Sequence, residues 1–236
     1  MTTTLITGAN KGLGYETARR LSAAGHTVYL GSRDAERGRQ AAERLGVRAV
    51  QLDVTDDESV AAAAGIIEAD GGLDVLVNNA GIAPEHRGGE VVVGAAELTV
   101  ELLRRTFETN VYGPVRVLRA FLPLLRRSPA PVVVNVSSGL ASLARVATPG
   151  TPAHRYPGVA YPTSKAALNM LTIQYAKAFP EIRVNAVEPG YTATDLNGGT
   201  GTQTVEQGAE IIVRLARLTP DGPTGGYFDA AGPISW

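Results

Sequence analysis

Six short, largely β-branched apolar runs recur along the chain, at residues 3–7, 27–31, 48–52, 74–78, 131–136 and 182–187. Between them lie Ala-, Leu- and Arg-rich segments, residues 13–24, 34–45, 56–70 and 97–127, whose apolar positions repeat near every 3.6 residues. The first set reads as strands buried on both faces and the second as the helices that cover them. Strand alternating with helix makes each connection cross the sheet and return to the same end, so the strands run parallel with helices on both faces. The expected architecture is a single doubly wound α/β domain over residues 1–236, with one half to about residue 130 and a second from about residue 131. No internal repeat and no interdomain linker interrupts it.

Composition removes several function classes. Hydrophobic residues make up 44% of the 236, enough for a sizeable core. Twenty-two basic residues balance twenty-three acidic ones, leaving none of the surplus that draws a protein to nucleic acid. Cysteine is absent, which excludes disulfides, thiolate zinc sites and cysteine nucleophiles and fits a reducing, cytoplasmic setting; no metal site is expected. No basic leader precedes the first strand and no apolar run reaches about 18 residues, so a soluble protein with neither export nor a membrane span is expected.

Two stretches break the rhythm. Residues 139–158 carry Pro149, Pro152 and Pro157, and residues 191–208 carry Gly198, Gly199 and Gly201, so both read as loops. Each follows a strand directly. Ligands of open parallel sheets bind beyond the carboxyl ends of the strands, so both loops are expected to border one crevice.

The first strand runs into Thr7-Gly8-Ala9-Asn10-Lys11-Gly12-Leu13-Gly14, and an amphipathic helix follows. Glycine permits a tight turn and close backbone approach, and the free N–H groups at the new helix's start favour a pyrophosphate. The strand-before, helix-after context makes this a dinucleotide loop. At the end of the second strand stand Gly31-Ser32-Arg33-Asp34. An acid there would bind the adenosine ribose, whereas Arg33 offers the planar fork suited to a 2′-phosphate, so NADP(H) is expected over NAD(H). Asp34 lies about 20 residues beyond Gly14 and competes as a ribose ligand; its other reading, preferred here, is the N-cap of the helix that starts after it. Lys11 is either a second cation near the 2′-phosphate or a solvated side chain.

The spacing Thr7-Gly8-x-x-x-Gly12-x-Gly14 resembles the cofactor signature of the short-chain dehydrogenase/reductase family, and five further motifs continue the likeness. Asp53-Val54 follows the third strand, Asn78-Asn79-Ala80-Gly81 the fourth, Asn135-Val136-Ser137-Ser138 ends the fifth, and Tyr161-Pro162-Thr163-Ser164-Lys165 opens the next long helix. Pro189-Gly190-Tyr191-Thr192-Ala193-Thr194 ends the sixth. The Asn10-Lys11 pair and the Gly-Ser-Arg-Asp turn look most like the NADPH-dependent carbonyl reductase branch. The resemblance implies a Rossmann-type fold in which Gly8, Asn10, Lys11, Gly12, Leu13, Gly14 and Arg33 contact the cofactor. It places Asp53 and Val54 at the adenine, and Asn79, Ala80 and Gly81 at the cofactor's middle. Pro189, Gly190, Thr192 and Thr194 would lie near the carboxamide or phosphates. It implies Ser138, Tyr161 and Lys165 as catalytic residues, with Ser137 as the off-by-one alternative to Ser138. Asn110 would support a water-linked proton relay to Lys165; Asn110, Tyr161 and Lys165 would also touch the cofactor.

The residues themselves carry the chemistry. Tyr161 and Lys165 are four apart and share a helix face, and Pro162 is tolerated only in a first turn, which puts Tyr161 at the helix's beginning. Bringing a tyrosine from about 10 to about 7 means stabilising the phenolate by about 4 kcal/mol, for which Lys165 and an oxidised nicotinamide are the expected sources. In carbonyl reduction the Ser138 hydroxyl would steady the charge developing on oxygen while Tyr161 delivers a proton.

Ser138, Leu140, Tyr156 and Tyr191 are the expected substrate contacts, with Ile82, His154, Arg155, Leu196 and Trp236 as further pocket candidates. Most are apolar or aromatic, which favours a small uncharged ketone, aldehyde or quinone, or the matching alcohol. Arg155 leaves an anionic group open, and the Gly-rich stretch after Tyr191 is expected to serve as a lid. The alternative function is a non-catalytic NADP(H)-sensing protein on the same fold. A monomer and a homo-oligomer both remain open.

Overall fold

The computed structural model describes residues 1–236. Its first half alternates β1 (Thr3–Ile6), α1 (Gly12–Ala23), β2 (Thr27–Ser32), α2 (Ala35–Leu45), β3 (Arg48–Gln51), α3 (Asp57–Ala69) and β4 (Val75–Asn78). A small antiparallel hairpin, β5 (His86–Arg87) with β6 (Glu90–Val91), leads to α4 (Val100–Phe107) and α5 (Gly113–Leu125). Then come β7 (Val132–Val136), α6 (Leu143–Ala147), α7 (Ala160–Ala178), β8 (Arg183–Val187), α8 (Val205–Ala216), β9 (Tyr227–Asp229) and β10 (Gly232–Pro233).

Eight strands form one sheet in the order β3-β2-β1-β4-β7-β8-β9-β10. The chain builds outward from β1 to β3, then returns to the other side of β1 with β4, which creates a switch point where the two directions part. Every pairing is parallel except β9 with β10, so the expected parallel sheet ends in one short antiparallel edge. Registers keep the carboxyl ends level: Ile6 faces Val77, Asn78 faces Asn135, and Val136 faces Val187.

The alternation of side chains along each strand divides the core in two. Leu5, Leu76, Val133 and Val184 point to one face, where Val60 and Ile67 of α3 and Phe121 and Leu125 of α5 cover them. Ile6, Val77, Val132 and Val134 point to the other, against Ala18 and Leu21 of α1 and Ile211 and Ile212 of α8. Burial of each such side chain contributes roughly 1.5–3 kcal/mol, so these contacts hold the strand ends where the loops leave them.

Three departures from the sequence expectations have local causes. The segment 97–127 is not one helix: a π-helical turn at Glu108–Tyr112 separates α4 from α5, inserting a residue into the ladder at a position that aims Asn110 inward. The stretch 139–158 contains α6, capped by the Ser142 side chain on the Arg145 N–H. The stretch 191–208 ends inside α8, whose start carries a capping box made by Thr204 and Gln207. No helix is long and apolar enough to cross a membrane.

Candidate active site

Beyond the level strand ends lies one crevice of about 1600 Å³. Its first wall is the turn between β1 and α1. Gly8 and Gly12 have φ of 62° and 58°, the left-handed region that other residues enter at a cost. A Cβ on Gly14 would lie 2.5 Å from Asn79 Nδ2 and 2.8 Å from Ala9 Cα. Asn79 is in that position because its Nδ2 donates to the carbonyls of Thr7 and Gly8, at 2.8 and 3.1 Å. The N–H groups of Asn79 and Ala80 in turn donate to Thr7 Oγ1, both at 3.0 Å, so the ends of β1 and β4 are stitched together. Lys11, the residue just before α1, provides no side-chain cap, which leaves first-turn N–H groups for an anion. Asn10 and Leu13 complete this wall.

Lys11 is exposed, as one of its two sequence readings has it, and lines the crevice. Its Nζ pairs with Asp195 Oδ2 at 2.6 Å and ties the glycine turn to the loop after β8. Thr194, next to Asp195, packs its methyl group toward Gly12.

At the far end, Asp34 acts as the helix cap: its Oδ1 accepts the Arg37 N–H at 3.0 Å and its Oδ2 lies 3.4 Å from Arg37 Nε. Arg33 is exposed, lines the crevice and makes no ion pair within the chain. The Asp53 carboxylate turns onto the Thr55 N–H and hydroxyl, while Asp53 and the buried Val54 line the crevice beside it. Extended backbone turns with free amides, an unpaired guanidinium and an apolar wall together fit a phosphorylated dinucleotide.

The middle of the crevice gathers Ser138, Tyr161 and Lys165, with Asn110 buried behind them and outside its lining. β7 delivers two serines pointing opposite ways. Ser137 is buried and its hydroxyl donates to Asn169 Oδ1 at 2.6 Å, whereas the Ser138 hydroxyl meets the Tyr161 phenol. Both serines border the crevice, but the Ser137 hydroxyl is taken up by Asn169, which leaves the Ser138 hydroxyl as the one beside the phenol. Tyr161 is the second residue of α7, with Pro162 behind it in the first turn, and Lys165 lies one turn on, its Nζ 5.7 Å from the Tyr161 ring centroid. Lys165 Nζ donates to the Val136 carbonyl at 2.7 Å. Asn110 Oδ1 accepts the Ile82 N–H at 2.8 Å, and its Nδ2 donates to the Ile82 carbonyl and to Ser164 Oγ. Gly81 backs onto both Lys165 Nζ and Asn110 Oδ1.

Burial dominates the electrostatics here. It pushes the Tyr161 phenol up to about 12; the Ser138 hydroxyl pulls the other way, and the carboxylates of Glu188 and Glu85 add to the rise. Burial pulls the Lys165 ammonium down to about 8. In the chain alone burial dominates and holds the phenol high; the expected lowering toward 7 rests on Lys165 together with an oxidised nicotinamide.

Around this centre stand Ile82, Leu140, Arg155, Tyr156, Tyr191 and Leu196, all lining the crevice as expected. His154 and Trp236 do not line it. The His154 ring bonds to the Val146 carbonyl and closes the turn after α6, and Trp236 stacks on Tyr227 with centroids 5.2 Å apart. The loop after β8 is closely folded: Gln203 Nε2 bonds to Thr192 Oγ1 at 2.8 Å and to the Pro189 carbonyl beside Gly190. Sequence reasoning missed Glu85, His86, Arg37 and Glu188. Only Glu188 carried a signal, its place directly before Pro189 in a strand-end motif.

The comparisons agree with this geometry. The family described as short chain dehydrogenase matches residues 2–204. A (+)-neomenthol dehydrogenase of Capsicum annuum is 33% identical, over 95% of this chain and 94% of that protein. Salutaridine reductase from Papaver somniferum superposes with a TM-score of 0.83 at 31% identity, covering 97% of this chain and 99% of that one. An NADPH-bound carbonyl reductase from chicken fatty liver gives 0.84 at 27% identity, with 100% and 99% covered. Glycine turn, strand-end residues and tyrosine helix thus stand on the scaffold that these proteins share, and the chain belongs to the short-chain dehydrogenase family.

Proposed function

We propose that the chain interconverts a carbonyl and its alcohol with NADP(H), on a small, mainly apolar ketone, aldehyde or quinone. The observation that carries this reading is the convergence of the Ser138 hydroxyl, the Tyr161 phenol and Lys165 at the end of β7, in the same crevice as the glycine turn. The first-turn amides of α1 would hold the pyrophosphate and Arg33 the 2′-phosphate. Asp53 and Val54 would flank the adenine, and Asn79, Ala80 and Gly81 the dinucleotide's middle. Pro189, Gly190, Thr192 and Thr194 would line the nicotinamide end. Two features support NADP(H) over NAD(H): Ser32 rather than an acid ends β2, and the Arg33 guanidinium has no partner in the chain. The chicken carbonyl reductase, solved with NADPH, points the same way.

The bound dinucleotide supplies or takes up the hydride. The remaining work belongs to the chain's own side chains. At neutral pH Tyr161 keeps its proton, pushed up to about 12 by burial, and so stands ready as an acid toward the substrate oxygen. The Ser138 hydroxyl donates to that oxygen as charge grows on it. Lys165 lies close enough to offset the phenolate left behind, and Asn110 holds the Ile82 backbone and Ser164 in place beneath both. Ile82, Leu140, Tyr191 and Leu196 offer apolar walls to the substrate. A redox-sensing protein without turnover would leave Ser138, Tyr161 and Lys165 gathered for no task.

Removing the phenolic hydroxyl in Tyr161→Phe should lower turnover by about 10²–10⁴-fold while leaving NADPH affinity within about twofold, as read by steady-state kinetics and cofactor fluorescence titration. Turnover like that of the parent would refute the role of Tyr161. In Arg33→Ala, the NADPH Kd should rise by about ten- to a hundredfold and the NADH Kd by less than about twofold. Equal losses for both cofactors would place the 2′-phosphate elsewhere. The pH profiles of the two directions should differ. Oxidation needs the phenolate, whose fraction grows about tenfold per pH unit below the phenol's pKa, so its rate should climb into the alkaline range. Reduction uses the protonated phenol and should not climb. Superimposable profiles would count against this assignment.

A further inference from the structure

We infer that Glu85, in the segment after β4, is a positioning residue for the tyrosine helix, capping its first turn and connecting it through Tyr156 and His86 to the substrate wall. The inference rests on Tyr161 as the acid/base of the proposed reaction.

The argument starts from what α7 lacks. Its 19 residues begin after Gly158-Val159, and Val159 offers no side-chain cap to the first-turn donors. Pro162 has no N–H to satisfy. The Tyr161 N–H is instead taken by both oxygens of Glu85, at 3.1 and 2.9 Å, from 76 residues away in the sequence. Glu85 is completely buried, so this carboxyl has left water to serve the start of one helix. Its charge faces the positive end of the helix dipole, a favourable placement. A Cβ on Gly158 would lie 2.5 Å from Glu85 Oε1 and 2.6 Å from the Tyr156 ring, so only glycine lets the chain pass between them.

The contact does not end at Glu85. Tyr156 Oη lies 3.0 Å from Glu85 Oε1 and 2.8 Å from His86 Nε2, and His86 Nδ1 lies 3.3 Å from the Leu196 carbonyl. Leu196 can only accept there, so Nδ1 carries a proton. Two proton arrangements of the same net charge then satisfy every contact. In one, Glu85 is ionised and accepts from Tyr156, while His86, with a proton on both ring nitrogens, donates to Tyr156. In the other, Glu85 donates to Tyr156 and Tyr156 donates to His86. Tyr156, His86 and Leu196 line the crevice, so a substrate seated against them bears on the group that fixes the Tyr161 backbone. None of this follows from the need to bind a dinucleotide, whose residues lie on the other wall.

An amide at position 85 tests the geometry, because its oxygen can accept the Tyr161 N–H and its NH₂ can donate to Tyr156. Glu85→Gln should retain kcat within about threefold, whereas Glu85→Leu, which leaves the Tyr161 N–H unpaired, should lose about tenfold or more. NADPH affinity should stay within about twofold in both, and amide exchange over residues 159–165 should quicken about tenfold in the leucine variant alone. Parental kcat and exchange in Glu85→Leu, or equal loss of kcat and NADPH affinity in both variants, would overturn the inference. Should Glu85→Leu fail to fold, Tyr156→Phe decides: a drop of about three- to tenfold in kcat with faster exchange over 159–165 supports it, and unchanged values for both overturn it. A parent protein that reduces no carbonyl would remove the proposed function, and the exchange measurement would still decide whether Glu85 holds the helix.

Discussion

A parallel sheet buried on both faces obliges every crossover to bring the chain back to the same end, and the rest of this molecule depends on that obligation. All the strand exits of β1, β4, β7 and β8 consequently open at one edge. The polar residues at those exits are then tied to one another. Thr7 accepts from the backbone of Asn79 and Ala80, and Asn78 donates to Asn135, which donates to Thr172 on α7. These bonds lie in dry surroundings, where an unmet partner is expensive, so they set the relative heights of the glycine turn, the serine pair and the tyrosine helix.

The same dryness sets the chemistry. Lys165 and Tyr161 are both buried, and each is driven toward its neutral form. Two further carboxyls, Glu85 and Glu188, are themselves raised by burial and press on the phenol from opposite elements. In the chain alone these surroundings favour the protonated phenol. That suits an acid in the reducing direction and demands help, from a cation or from alkaline solution, in the oxidising one.

What was legible in the sequence was what local periodicity and turn chemistry encode. The six apolar runs became β1, β2, β3, β4, β7 and β8 to within a residue or two at each end, and Asp34 caps α2 as its position before an Ala- and Arg-rich segment suggests. The turn with Gly8, Gly12 and Gly14, and the one-turn separation of Tyr161 and Lys165, were equally local. Features made by distant segments left no such trace. Two-residue strands such as β5 and β6 are too short to show a period, and the π turn around Asn110 hides inside a helical pattern. Glu85 meets Tyr161, and Lys11 meets Asp195, only because the fold brings distant segments together. Aromatic character alone suggested Trp236 for the pocket, yet it stacks on Tyr227 of β9, the strand next to the sheet's edge, and lies outside the crevice lining.

The neomenthol dehydrogenase and salutaridine reductase likenesses carry the scaffold and leave the substrate of this chain to its own walls. The central claim is that a hydride and the Tyr161 proton reach the two ends of one carbon–oxygen bond. Its most direct test is the product formed from a ketone with NADPH deuterated at the transferable position of the nicotinamide. The account predicts an alcohol bearing one deuterium on the former carbonyl carbon and none retained on its oxygen in ordinary water. Recovery of unlabelled alcohol, or of unchanged ketone beside consumed cofactor, would contradict it.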